Sequence, residues 1–240
     1  MSRRIDDVPV ALLAGGLATR LQPVSKIVPK AMVDVAGRPF IDHQLELLYR
    51  NGVRHVVMCL GHLGHQLQEH LGDGRAFGMR IDYSFDGSRL LGTGGAIAAA
   101  AEKLGNVFWV IYADSYMNID YRAVLDYFNQ QSPLGLMTVL RNNNRWDRSN
   151  VVFQDGVLLK YSKRESDPAM EYIDYGAAIL SRRMFDGFPA ERPCDLADVY
   201  SSLVRERNMI GFEVHERFYE IGTPSALEET RTYLMSQRSA

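Results

Sequence analysis

Short apolar runs, broken by turn residues and by segments of helical period, set the outline of this chain. Val8–Leu13 is a brief apolar run with β-branched Val8 and Val10 near its start. Comparable runs cover His55–Leu60, Met79–Phe85, Val107–Ala113 and Leu136–Leu140. Their length and their β-branched and aromatic content predict strands. Between them, Ile41, Leu45 and Leu48 recur at helical spacing after Pro39, a residue suited to a first helical turn. Gly94–Leu104, rich in alanine, predicts a second helix and Ala123–Phe128 part of a third. Strands alternating with helices predict an α/β fold with parallel pairing and helices on both faces.

The second half changes character. Asn150–Phe153, an Asp155-Gly156 turn and Val157–Tyr161 predict a hairpin. A further strand over Tyr172–Leu180 is expected to join the main sheet. Leu196–Arg207 and Ser225–Tyr233 read as helices, with Pro224 at a helix start. No repeat or linker interrupts 1–240, which reads as one domain with a β-insertion at about 141–171.

Composition narrows the classes. The chain has 240 residues, 46% of them apolar, enough for one substantial core. A net charge of −2 without a long basic stretch argues against nucleic acid or an anionic membrane as partner. Two cysteines, Cys59 and Cys194, are too few for a disulfide framework and fit a reducing compartment. The polar segment Met1–Asp7 has no hydrophobic stretch of a signal peptide behind it, and no apolar run reaches membrane-spanning length. A cytoplasmic protein is the expectation, and assembly into a homo-oligomer stays open.

The candidate chemistry begins where the first strand ends. Gly15-Gly16 allows a tight turn whose backbone N–H groups form an anion-binding nest. Arg20 can fork onto phosphate oxygens, and Lys30 adds a compact positive charge. There is no Gly-x-x-x-x-Gly-Lys-Ser/Thr run and no complete dinucleotide fingerprint, so P-loop and ordinary dehydrogenase readings lose support. Asp114, after the apolar strand Val107–Ala113, is either a helix cap or a metal ligand. Leu91-Gly92-Thr93-Gly94-Gly95-Ala96 is either a plain β–α turn or a backbone platform for a nucleoside, with helical N–H groups free near Gly94. Asp86 is a pure acceptor when ionised and could pair with adjacent donors such as those of guanine, which does not by itself settle the base. Cys59, His62, His65 and His70 lack a second cysteine pair, and read as strand and solvated helix rather than zinc ligands.

Taken together, Leu13-Ala14-Gly15-Gly16-Leu17-Ala18-Thr19-Arg20-Leu21 and Pro29-Lys30 resemble the signature of sugar-1-phosphate nucleotidylyltransferases, with Ala18 in place of that family's third glycine. The spacing around Leu91–Ile97 is most similar to heptose- or mannose-1-phosphate guanylyltransferases, and next to muramate-type uridylyltransferases. The resemblance implies a three-layer, Rossmann-like nucleotidyltransferase fold with a mixed, mainly parallel sheet. It implies an NTP and a sugar 1-phosphate as substrates, Mg²⁺ as cofactor, and an NDP-sugar and pyrophosphate as products. It places Leu13, Ala14, Gly15, Gly16, Thr19, Arg20, Asp86, Gly92, Thr93 and Gly94 at the nucleotide, and Arg20, Lys30 and Asp114 at the chemistry. Asp114 would bind Mg²⁺ together with Glu220, which stands in Phe218–Thr223 where the family has Asp. Lys163 would hold the acceptor phosphate, and Asn150, Asp174 and Gly176 would line the sugar. A metal-dependent glycosyltransferase would show Asp-x-Asp where this chain has Asp114-Ser115-Tyr116. A non-catalytic nucleotide-sugar sensor is the other alternative, against which the retained Arg20, Lys30 and Asp114 speak.

Overall fold

Every residue of the first strand, β1 (Val10–Ala14), is apolar because both faces of the strand are covered. Val10 and Leu12 enter one hydrophobic layer and Ala11 and Leu13 the other, following the two-residue period of a strand. The computed structural model describes residues 2–16, 27–87, 89–185 and 193–238.

After β1 come two antiparallel two-residue strands, β2 (Asp34–Val35) and β3 (Arg38–Pro39), and the helix α1 (Phe40–Arg50). The chain then alternates through β4 (His55–Leu60), α2 (Gly64–Leu71), β5 (Arg80–Phe85), α3 (Gly92–Leu104) and β6 (Val107–Tyr112). A short β7 (Ser115–Tyr116) precedes α4 (Tyr121–Gln131), where Asp120 caps the helix by accepting from the Ala123 N–H at 3.0 Å. The second half contains β8 (Gly135–Arg141), the hairpin of β9 (Val151–Gln154) and β10 (Val157–Tyr161), and the long β11 (Tyr172–Ser181). It closes with α5 (Leu196–Arg205), β12 (Met209–Val214), β13 (Tyr219–Glu220) and α6 (Pro224–Arg238).

Among the described residues nine strands form one sheet, in the order β5-β4-β1-β6-β11-β8-β12-β10-β9. β5, β4, β1 and β6 are mutually parallel, whereas β11 runs antiparallel between β6 and β8. That reversal matters for the site. With Ala177 opposite Ile111, the residues just before Ala177 pass the carboxyl end of β6. Asp174 and Gly176 are thereby carried to the edge where β1 and β6 end. One core layer includes Leu12, Met58, Trp109, Ile111 and Phe128; the other includes Val57, Phe108, Val110, Ile97 and Tyr200.

The expected α/β architecture and mainly parallel first half are present. Boundaries differ locally: the first strand starts at Val10 and the third at Arg80, α4 is longer than Ala123–Phe128, and α6 runs on to Arg238. α5 stops at Arg205, and Arg207 takes a left-handed φ of +57° that no helix could continue. β12 is a strand that the sequence pattern does not predict. Gly211 interrupts its apolar run, and there the Phe153 ring fills the space a side chain would need.

Candidate active site

The ends of β1 and β6 converge on a cavity of about 400 Å³, within the range that holds a nucleotide-sized ligand. Leu13, Ala14, Gly15, Gly16, Lys30, Asp86, Gly92, Thr93 and Asp114 all line it, bringing together residues that lie up to a hundred positions apart. Thr19 and Arg20 lie outside the described residues.

Lys30 and Asp114 meet directly. The Lys30 Nζ donates to Asp114 Oδ2 at 2.5 Å, and the other carboxylate oxygen accepts from Ser115 Oγ at 3.2 Å. The Lys30 side chain is only 16% exposed, while that of Asp114 keeps 34%, so the carboxylate stays reachable from the cavity. Asp114 is not a helix cap, one of the two readings the sequence leaves open. It sits in the turn between β6 and β7, and the cap of the next helix is Asp120. The turn is fixed from α1: the buried Gln44 donates through Nε2 to Tyr112 O and Ser115 O, each at 2.8 Å, on either side of Ala113-Asp114.

Glu220 arrives from the far end of the chain. β13 pairs with β7 so that Glu220 lies opposite Ser115, and the Ile221 N–H donates to Asp114 O at 3.1 Å. Thr230 of α6 anchors the strand by donating to Glu220 O at 2.7 Å. The Glu220 carboxylate curls over Gly222, whose backbone lines the cavity; Oε2 lies 3.1 Å from where a Cβ at Gly222 would sit. Asp114, in the turn before β7, and Glu220, on β13, carry the hard oxygen donors that Mg²⁺ takes, which phosphates and water could complete to six. The donor chemistry fits the ion.

The glycine run after β5 has a different physical reason from the expected one. The N–H groups of Gly94 and Gly95 are not free: both donate to Cys194 O, at 2.9 and 3.3 Å. Cys194 N–H in turn donates to Leu91 O at 2.8 Å. Gly92 has φ +72°, and a Cβ there would lie 2.6 Å from Cys194 O. The glycines therefore admit the segment leading into α5, which seals the start of α3. Thr93 completes the joint, donating to Asp195 Oδ1 at 3.1 Å and accepting from the Leu196 N–H at 2.8 Å. Asp195 is held below the usual carboxylate range: burial opposes this, but the Ala197 N–H, Lys163 and Thr93 outweigh it.

Asp86 leaves β5 and faces Gly15. Burial raises its pKa, against one weak bond from the Leu91 N–H at 3.3 Å. His62 and Cys59 line the same side; the Cys59 thiol is buried and pushed up to about 12. The other histidines turn elsewhere, His65 stacking on Phe85 at 4.7 Å and His70 bonding Asp42 at 2.7 Å.

The residues expected at the sugar gather around Tyr112. Asn150 Oδ1 accepts from the Asp174 N–H at 2.8 Å, and Asp174 Oδ1 from the Gly176 N–H at 3.1 Å. Burial raises the Asp174 pKa, opposed by Lys163, by the Gly176 N–H and by the Tyr161 hydroxyl, which donates at 3.3 Å. Lys163 Nζ lies 5.8 Å from the centre of the Tyr112 ring. It lines a neighbouring groove with Asp195 rather than the main cavity, which Tyr112 lines. Gln44 and Tyr112 are site residues that sequence reasoning misses. A buried glutamine and a strand aromatic carry no local signal, since their roles come from packing alone.

No helix among the described residues is long and apolar enough to cross a membrane. A family model described as nucleotidyl transferase matches residues 10–234. The chain is similar to the mannose-1-phosphate guanylyltransferase of Mycobacterium tuberculosis, 27% identical over 222 residues, 90% of this chain and 62% of that protein. It therefore spans less than two thirds of that relative. It is also similar to the N-acetylmuramate alpha-1-phosphate uridylyltransferase of Neisseria meningitidis serogroup B, 30% identical over 227 residues, covering 92% and 95%. Among solved structures, HddC from Yersinia pseudotuberculosis, complexed with GMP-PN, has the same fold. Its TM-score is 0.79 at 23% identity, covering 95% of this chain and 99% of that one.

Proposed function

Because the chain belongs to the nucleotidyl transferase family, we propose that it joins an NTP to a sugar 1-phosphate, giving an NDP-sugar and pyrophosphate. The observation that carries this reading is the convergence of Gly15-Gly16, Lys30, Asp114 and Gly222 on one cavity, with Lys163 beside Tyr112, which lines it. A phosphate oxygen of the acceptor attacks the α-phosphorus, that P–O bond forms, and the bond to the β-phosphate oxygen breaks in line. The nucleophile is already anionic, so no protein base is required, and positioning with charge neutralisation supplies the catalysis. Arg20 and Lys30 hold the triphosphate and the charge growing on pyrophosphate. Lys163 holds the acceptor phosphate, and Asn150, Asp174 and Gly176 line the sugar. Asp114 and Glu220 hold Mg²⁺, which supplies Lewis-acid stabilisation of phosphate charge when bound.

For the base, GTP is the first reading. Asp86 presents an acceptor from a partly desolvated carboxylate beside Gly15, and guanine offers adjacent N–H donors. Mannose or D-glycero-D-manno-heptose 1-phosphate is the matching acceptor. A uridylyltransferase acting on a muramate-type sugar is the second reading, favoured by a relative that is 30% identical. Pyrophosphate release from four NTPs against a panel of sugar 1-phosphates tests both. Release with one pair only, and only with a divalent cation, is the expected result. Nucleotide-sugar binding without turnover of any pair would instead make the protein a sensor.

A further inference from the structure

The Arg217 guanidinium touches two aromatic rings that come from different parts of the chain. Its Cζ lies 5.2 Å from the centre of the Trp146 ring and 4.6 Å from that of Tyr219. Glu229 of α6 accepts from Nη2 at 2.8 Å and so orients the planar fork. Tyr219 is a firm support: it pairs with Tyr116 of β7 and stacks on Tyr233 of α6 at 3.9 Å. Trp146 belongs to the loop 142–149 between β8 and β9 and is 38% exposed. At the base of that loop the N–H groups of Asn142 and Asn143 donate to Glu171 O, at 2.9 and 2.8 Å. Inside it the buried Asn142 donates through Nδ2 to Asp147 O at 2.6 Å and to Ser149 Oγ at 3.1 Å. The Trp146 N–H donates to Asn142 Oδ1 at 3.3 Å. A loop bonded within itself in this way shifts as one piece. It carries Arg148, which donates to Lys163 O, and leads straight into Asn150, which accepts from the Asp174 N–H. A displacement at Trp146 is therefore felt at both Lys163 and Asp174.

We infer that Arg217 is a positioning residue for the acceptor half of the site. It fastens the tip of loop 142–149 to β13 and, through Arg148 and Asn150, sets where Lys163 and Asp174 stand. This rests on the nucleotidylyl-transfer reading. Arg217 does not line the cavity itself. Glu220, further along the same segment, is held by β7 and Thr230 and does not depend on Arg217 for its place. The fastening needs a planar cation, because only a guanidinium stacks on the rings while its fork is held by a carboxylate.

The test compares Arg217→Gln, Arg217→Lys, Trp146→Ala and the double variant Arg217→Gln/Trp146→Ala, with the NTP and sugar 1-phosphate pair that the wild type turns over fastest. The chain has two tryptophans and Trp109 is fully buried, so acrylamide quenching of fluorescence reads Trp146. Arg217→Gln should increase that quenching. Its KM for the acceptor should rise about fivefold, the scale of one lost cation–π contact. Its KM for the NTP and its half-saturating Mg²⁺ should stay at the wild-type values, and Arg217→Lys should recover part of the loss. Trp146→Ala should raise the acceptor KM similarly, and the double variant should be no worse than either single change. Should Arg217→Gln fail to fold, Arg217→Lys, which keeps a cation for Glu229, and Trp146→Ala carry the same comparison. Unaltered quenching, or increased quenching with an unchanged acceptor KM, would overturn the inference. Parallel rises in acceptor KM, NTP KM and Mg²⁺ requirement would overturn it too, since Arg217 would then only stabilise the fold. If the wild type turns over no pair at all, the transfer reading fails and takes this inference with it. If the wild type is active and the Arg217 variants match it, only the inference fails.

Discussion

Lys30 and Asp114 neutralise each other across the mouth of the cavity at 2.5 Å. An incoming triphosphate and its divalent cation would separate the two charges, the phosphate taking the ammonium and the cation the carboxylate. Lys30→Met should therefore leave a folded protein, because Asp114 keeps solvent access and its bond from Ser115. Turnover should fall by about a hundredfold or more, the scale for losing one charge-stabilising donor in a water-excluded site. Steady-state pyrophosphate release, with circular dichroism as the folding control, measures this.

Glu220 gives a sharper test, since the family's usual residue there is shorter. Glu220→Gln removes an anionic donor while keeping the shape that packs over Gly222. The Mg²⁺ concentration for half-maximal activity should rise severalfold and turnover fall. Glu220→Asp should be milder. Mg²⁺ titrations of all three proteins decide whether this carboxylate serves the ion.

Asp86 links base reading to pH. Its pKa is raised by burial, so the folded state holds the proton more tightly than the unfolded chain. Wild-type stability should then fall as pH rises from the unfolded carboxylate pKa to the higher folded value, and stay lower above it. Asp86→Asn lacks that penalty and should melt higher than wild type at neutral pH, with the difference closing in acid. The same variant should lose preference for GTP over ATP. Melting curves across pH, with competition kinetics, check both halves.

Two glycines should respond oppositely. Gly92→Ala forces a Cβ against Cys194 O at a φ of +72° and should cost at least ~2 kcal/mol of stability. At Gly16 a Cβ would meet no described residue within 4 Å and the φ is not left-handed, so Gly16→Ala should stay within about 0.5 kcal/mol of wild type. If phosphates approach that backbone, its KM for NTP should nonetheless rise roughly tenfold. Denaturant unfolding and NTP kinetics separate the two cases.

These contrasts show what the chain discloses by itself. The apolar runs mark β1, β4 and β6 because buried parallel strands need no polar face, and Asp114, just past the end of β6, can be read from position. The pairing of Lys30 with Asp114 cannot, because 84 positions separate them and only the tertiary fold brings them together. The glycines after β5 are legible as special but not for what purpose. The carbonyl they accommodate, that of Cys194, comes from a segment with no pattern of its own. Gln44 shows the general limit: an amide bridging two distant carbonyls is a tertiary fact that no local spacing records.

The nine-stranded sheet receives its last strand at Val214, before Glu220 is reached. The remaining segment is held by the two-residue bridge to β7, by α6, and by a small separate core of Val35, Phe40, Ile221 and Leu234. A chain interrupted after Val214 would retain its main hydrophobic layers, its glycine turn and Lys30. It would lack one carboxylate and the strand that braces Asp114. The carboxylate of Glu220 and the nine-stranded sheet are thereby carried by separate stretches of the chain.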